Sequence, residues 1–288
     1  MFKPVFVEGK NIDDVWFKLL VELCSNGRKY IIDSGSFVGT HRLEFDYCTG
    51  TIHNPIEYSY EGVRKPLAVT VPEGCIAPTT DADIEEYFVD YLMNGVLGAN
   101  DHYKYATWIV GGEYKMPKLA IPSLHIKDNI VEYNNFKVVV PNQIQWCIDH
   151  YKKKGFGNNH CCIQIGYPES NTAYDVPYTT ETERQTSPCM RLIDTKITKE
   201  AVILEGPDET GRVKTKDNHY LNFNVYFRSW DCYSGFPVNM GGLALLMEYM
   251  ANELEVYPGA LSFCSKGLHV YEHSIGQLMA RSGINVTL

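Results

Sequence analysis

Hydrophobic residues recur at helical spacing in four stretches of the chain. Behind Asp13, Val15, Leu19, Leu20 and Leu23 line one face until Asn26-Gly27, which predicts a helix over 13–24. Ile84, Phe88, Tyr91 and Leu92 follow Asp81 and predict a second over 82–93, whose acidic first turn suits the helix dipole. A third is expected over 143–152. Gly241-Gly242 opens the most apolar one, over 243–254. Strict alternation marks the strands. Leu43, Phe45 and Tyr47 alternate with Arg42, Glu44 and Asp46, the pattern of a strand with one buried face, ended by Thr49-Gly50. Further strand-like runs lie at 161–165, 190–197 and 220–227, the last two joined through an acidic, Gly-containing hairpin around 206–211. Segment 166–188 is polar and rich in Thr, Pro and Tyr, so it reads as a long loop.

Helices and strands mix without the regular rhythm of a doubly wound fold, and no Gly-rich dinucleotide or phosphate-loop fingerprint is present. The expected architecture is α+β, one large mixed sheet with helices packed on it. At 288 residues, without internal repeats, the chain is expected to form one domain over 1–288.

Composition narrows the function. With 44% hydrophobic and 21% charged residues, the chain can bury a core. A formal charge of −9 argues against direct nucleic-acid binding, which needs a basic face. The longest apolar run, 243–250, is broken by Glu248, and the first residues lack the pattern of a signal peptide, so a soluble, cytoplasmic protein is expected. The nine cysteines form an odd set without a C-x-x-C pair and read as reduced thiols. His160-Cys161-Cys162 looks like a set of metal ligands. Neighbours on a strand point to opposite faces, however, so no metal site is expected.

Three segments concentrate reactive and hydrogen-bonding side chains: Ser187-Pro188-Cys189-Met190-Arg191; Arg228-Ser229-Trp230-Asp231 continuing to Gly235-Phe236-Pro237-Val238-Asn239; and His269-Val270-Tyr271. Taken singly, Cys189 reads as a small buried hydrophobe, Arg228 to Asp231 as a surface ion pair, and His269 with Tyr271 as a satisfied core pair. Their order and spacing together resemble the thymidylate synthase family. The resemblance covers about 189–281, and its forms are closer to the archaeal-type and nucleotide-hydroxymethylase branches than to the common bacterial enzyme.

The resemblance implies a thymidylate-synthase-like fold, a homodimer that packs two sheets face to face, and one-carbon transfer from 5,10-methylenetetrahydrofolate to C5 of a pyrimidine nucleoside monophosphate. C5 is a poor nucleophile, so a thiolate adds to C6 and pushes electron density onto it. Cys189 matches that thiolate. Arg228 would lower the pKa of the thiol and hold the phosphate, with Ser229 adding a hydroxyl donor. Asn239 would read the base, His269 and Tyr271 the sugar hydroxyl, and Asp231 matches a position near the folate. Glu86, with Glu85 as its neighbour, is the candidate carboxylate for proton traffic, and Tyr105 the candidate relay tyrosine. Asn239 favours uracil, since one acceptor and two donors match N3–H and O4. An amide also pairs with cytosine if it flips, which leaves the base open at this stage.

The chain departs from the family in three places. Where two arginines usually reach into the partner's site, it reads Asn158-Asn159-His160, leaving Arg184, Arg191 and Arg42 as possible replacement cations. Met190 stands in place of a histidine. The sequence ends at Leu288, without the segment that closes over folate, and water exclusion decides between a methyl and a hydroxymethyl product. Methylation of dUMP to dTMP is the first expectation. Hydroxymethylation of dUMP, dCMP or CMP and a non-catalytic nucleotide-binding homologue are the alternatives. A thiol hydrolase using Cys189 has no local signature.

Overall fold

The first helix forms because Asn11 accepts a hydrogen bond from Asp14 N at 3.0 Å, while Asp13 and Asp14 face the positive end of the dipole. The computed structural model describes residues 1–33, 37–96, 103–115, 137–175, 186–206 and 214–287. Within them the order is β1 (Pro4–Gly9), α1 (Ile12–Asn26), β2 (Arg28–Ile31), β3 (His41–Glu44), β4 (Tyr47–Ile52), α2 (Asp81–Glu86), α3 (Ala106–Ile109), β5 (Gly112–Lys115), β6 (Lys137–Val140), α4 (Gln143–Lys154), β7 (Cys162–Gln164), β8 (Met190–Glu205), β9 (Lys214–Phe227), β10 (Trp230–Asp231), α5 (Gly235–Leu254), β11 (Tyr257–Ser265), β12 (Leu268–Tyr271) and α6 (Ile275–Ser282).

Six strands form the main sheet in the order β1-β4-β11-β9-β8-β7. The β1/β4 and β11/β9 pairs are parallel and the others antiparallel, so the sheet is mixed as expected. A smaller sheet runs β10-β12-β3-β2, and β5 pairs with β6. One face of the main sheet is apolar. Ile52, Phe263, Phe223, Val225 and Ile193 on that face are fully or almost fully buried in one core with α1, α4 and α5. The opposite face carries Tyr47, Thr49, Cys264, Tyr226 and Asp194, all partly exposed. Among the described residues no helix is long and apolar enough to cross a membrane.

Five expectations need correction. The strand expected over 42–47 is two strands, because Phe45 and Asp46 leave one sheet and enter the other; Gly50 lies inside β4, where a Cβ would come within 2.3 Å of the Val7 carbonyl. The helix expected over 82–93 ends as a π-helical turn at Tyr87–Leu92, closed by Met93 N donating to Phe88 O. The helix expected over 243–254, α5, begins at Gly235, and Gly241-Gly242 lie within it. There the glycines serve close approach: a Cβ on Gly241 would meet Ile84 at 2.8 Å, and one on Gly242 would meet Tyr87 at 2.4 Å. The segment expected as a loop carries a 3₁₀ turn at Pro168–Asp175. Strands β8 and β9 extend well beyond 190–197 and 220–227, and the hairpin connection expected between them lies largely outside the described residues.

Candidate active site

Cys189 sits half-buried immediately before β8, where the strand is irregular. Met190 pairs with Phe227 and Leu192 with Tyr226, which makes Arg191 the extra residue of a β-bulge. A bulge re-aims a side chain that regular alternation would commit to one face. Here Arg191 Nη1 donates to Ser187 Oγ at 2.9 Å, and burial, then the charge of Arg228, pull its pKa below the ordinary arginine value.

Arg228 follows the end of β9. Its backbone N–H donates to the Cys189 carbonyl at 2.9 Å, while Nε donates to Pro188 O at 3.1 Å and Nη2 to Ser187 O at 2.7 Å and to the Tyr174 hydroxyl. The guanidinium thereby fixes the two residues that precede the thiol. Among the described residues Nη1 of Arg228 donates to no partner, and neither Arg191 nor Arg228 has a carboxylate partner. Two neighbouring cations without a counter-charge make a ready anion site.

Two tyrosines hold the other side of the strand entry. Tyr103 Oη accepts from Cys189 N at 3.2 Å and Tyr105 Oη from Met190 N at 3.1 Å. Burial drives both phenols well above their ordinary pKa, so each keeps its proton. Tyr91 completes the cluster, its ring edge-on to Tyr105 at 5.2 Å and its hydroxyl donating to the Tyr103 carbonyl at 2.9 Å. Tyr87, Tyr103, Tyr105 and Tyr271 all lie within electrostatic reach of Cys189.

Asn239, on the first turns of α5, accepts a 2.8 Å hydrogen bond from the Trp230 indole through Oδ1. The Tyr87 hydroxyl is buried beside this amide without a hydrogen-bond partner among the described residues. Asp231 accepts from Tyr233 N at 2.9 Å just ahead of α5; burial raises its pKa, and the N–H groups of Tyr233 and Ser234 pull it back. Ser229 lies half-buried between Arg228 and β10.

His269 and Tyr271 stand two residues apart on β12, with their rings 4.5 Å apart. His269 is 2% exposed, and burial lowers its pKa to about 4. Its Nδ1 faces the Gly267 carbonyl at 2.8 Å and must carry the proton there, which leaves Nε2 an acceptor, buried and without a partner among the described residues. Glu44 Oε2, at 3.8 Å, is beyond hydrogen-bond range of Nδ1.

Arg228, Tyr105 and Tyr271 therefore lie near Cys189, with Asn239 beside Tyr87. Glu86 does not join them. It stays exposed, as does Glu85, which pairs with Arg64 at 3.1 Å, while the next residue, Tyr87, turns inward against Gly242. Among the possible replacement cations, Arg42 is committed to Glu44 at 2.8 Å, and Arg184 lies outside the described residues. The sequence reading missed Tyr87, Tyr103, Tyr174 and the role of Trp230. Only the Tyr-Lys-Tyr alternation at 103–105 carried a readable sign, since it puts two phenols on one side.

A family model described as thymidylate synthase matches residues 169–282. A "putative thymidylate synthase" of Methanosarcina mazei is 35% identical over 86 residues, 30% of this chain and 31% of the relative. Proteins with the same description from Methanococcoides burtonii and Methanosarcina acetivorans are 30% identical over 95 residues (33% of this chain, 35% of the relative) and 38% identical over 53 residues (18% and 24%). The chain thus spans about a third or less of the curated relatives it matches. Over 169–282, with the α+β mixed sheet and the motif order Cys189, Arg228, Asn239, His269, the chain is similar to the thymidylate synthase family.

Proposed function

We propose that the protein transfers a one-carbon unit from 5,10-methylenetetrahydrofolate to C5 of a pyrimidine nucleoside monophosphate, with dUMP as substrate and dTMP as product. The observation that carries this reading is a half-buried thiol whose two preceding residues are held by Arg228 and Arg191, neither with a carboxylate partner among the described residues, together with two buried polar atoms, Tyr87 Oη and His269 Nε2, that have no hydrogen-bond partner among the described residues. Buried polar atoms are seldom left unmatched, and a polar ligand would satisfy both.

In this reading Cys189 adds as thiolate to C6, C5 then forms a bond to the one-carbon unit, the C5 proton is lost, and the thiolate leaves again. The folate would supply both the one-carbon unit, whose carbon–nitrogen bond breaks as the new carbon–carbon bond forms, and the hydride that reduces it to a methyl group, so that the folate ends as dihydrofolate. Arg228, Arg191 and Ser229 hold the phosphate, so that the bulge arginine takes the part that the missing arginine pair has in the family. His269 Nε2 accepts from a sugar hydroxyl, beside Tyr271. Asp231 has an oxygen to offer the N–H groups of a reduced folate, which when bound supplies the one-carbon unit. With Glu86 exposed, the Tyr87 and Tyr105 hydroxyls are the groups placed to move a proton through water near the base. The partly exposed face of the main sheet, around Tyr226 and Cys264, is the surface for a second copy in a homodimer.

Incubation with methylenetetrahydrofolate and each of dUMP, dCMP, UMP and CMP, with product masses as readout, tests the reading. A methyl gain on dUMP supports it. A hydroxymethyl gain on any of the four replaces methylation with hydroxymethylation at the same site. No product, and no covalent adduct of Cys189 with a 5-fluoropyrimidine monophosphate and the folate, would leave a non-catalytic nucleotide-binding protein.

A further inference from the structure

The 2.8 Å bond between Trp230 and Asn239 has a fixed polarity. An indole N–H only donates, so the atom facing it must be the amide oxygen, and the amide nitrogen must point the other way. The indole cannot turn to suit a different partner. It stacks on Phe227 at 4.0 Å between ring centroids and 6° between planes, packs on Phe236 at 4.9 Å, meets Phe263 edge-on at 5.7 Å, and is 3% exposed. The second lone pair of Oδ1 and one Nδ2 donor remain for a ligand, in a set order, while the amide nitrogen also faces the Tyr87 hydroxyl.

That order separates the two pyrimidine bases. The uracil edge offers a donor at N3 and an acceptor at O4, which match Oδ1 and Nδ2 as they stand. The cytosine edge offers an acceptor at N3 and an amino donor at C4, the reverse. To pair with cytosine the amide must flip, and the flip sets Nδ2–H₂ against the indole N–H, two donors face to face in a buried place. We propose that Trp230 is a positioning residue that locks the Asn239 amide and thereby makes the site selective for 4-oxo over 4-amino pyrimidine monophosphates. The proposal rests on the reading of this site as a pyrimidine nucleotide site and names the base that the site selects.

The test is the ratio of dUMP to dCMP affinity, measured by calorimetry on the full chain, for wild type and Trp230→Phe. Phe keeps an aromatic ring in the stack and removes the donor. Wild type should prefer dUMP, and the ratio should fall by about 10- to 100-fold in the variant, the worth of one buried hydrogen bond made or opposed. A second replacement keeps the ring shape: benzothienylalanine at position 230, with sulfur in place of the indole N–H, should give the same fall if Trp230→Phe does not fold. An unchanged ratio in the folded variant overturns the lock, as does a wild type that binds dCMP as tightly as dUMP; in both cases nucleotide binding itself stands. A wild type that binds neither nucleotide overturns the nucleotide reading, and the lock with it.

Discussion

Strands β7 and β8 are neighbours in the main sheet, and both begin in a knot of reactive side chains, yet only one of these knots is built as a site. At the start of β7, Cys161 is fully buried and its sulfur lies 3.8 Å from the Cys147 carbonyl, while Cys162 looks to the other side of the sheet. Burial raises the pKa of both thiols. His160 turns to His150, with Nδ1 and Nε2 2.9 Å apart, and His150 stacks on Trp146 at 4.6 Å. Regular alternation has dispersed the cluster. At the start of β8 the alternation is broken by a bulge, and the side chains that would have dispersed instead converge. A density of nucleophiles in sequence therefore says little until the backbone irregularity that gathers them is known.

The sharpest way to break this comparison is to treat the two cysteines alike. Cys189→Ser should reduce turnover by at least about 10³-fold and abolish the covalent adduct, with the thermal midpoint nearly unchanged. Cys161→Ser should leave turnover intact and lower stability by about 1 kcal/mol, since the serine hydroxyl can still donate to the Cys147 carbonyl in the core. Paired denaturation and single-turnover assays read both. Loss of the adduct in Cys161→Ser alone would reverse the assignment.

His269 sharpens the contrast between a buried imidazole and the exposed pair at β7. Its folded pKa of about 4 lies below the unfolded value, so the unfolded chain takes up the proton first as pH falls. Its contribution to stability is complete above about pH 6.5 and is lost as pH falls towards about 4, by roughly 3 kcal/mol. Urea unfolding at several pH values in that window, for wild type and His269→Gln, should show the difference between them shrinking by that amount. A constant difference would mean that the imidazole is not held neutral.

Arg191 distinguishes the bulge from the regular strand. Arg191→Gln should weaken binding of a pyrimidine monophosphate by about 10- to 100-fold while leaving binding of the nucleoside unchanged, and Arg191→Lys should restore part of the loss. Equal effects on nucleotide and nucleoside would make Arg191 a support for the loop at Ser187 and not an anion ligand.

Much of this arrangement was legible in the chain, and the rest was hidden for physical reasons. The stripe of α1 and the inner parts of β8 and β9 follow from periods that the sequence carries openly, while Cys189, Arg228 and His269 stand out through the order and spacing of their motifs. Glu86 is the candidate in the sequence because the resemblance implies a carboxylate on an early helix; nothing in the local pattern shows the π turn beginning at Tyr87 or that this tyrosine turns inward. Gly241-Gly242 looked like a helix start because glycine usually punctuates; its use here, admitting Ile84 and Tyr87, depends on a helix some 150 residues earlier. No local pattern announces a bulge at Arg191 or an indole donor aimed at Asn239, since both are set by pairing across strands and by packing.

Tyr103 and Tyr105 offer the finest test, because they perform the same act on consecutive backbone groups. Met190 is fully buried, so Tyr105→Phe leaves its N–H with no partner and should cost about 1–3 kcal/mol of stability. Cys189 is only half-buried, so water can replace the Tyr103 hydroxyl at its N–H, and Tyr103→Phe should cost less than about 1 kcal/mol. What Tyr103→Phe loses is the fixed position of the thiol, so its adduct formation should slow several-fold relative to Tyr105→Phe at equal folded fraction. Denaturant midpoints and adduct rates on the two variants decide the matter. If the larger stability loss and the larger rate loss fall on the same tyrosine, the two phenols act as one packed unit and not as separate anchors for the core and the nucleophile.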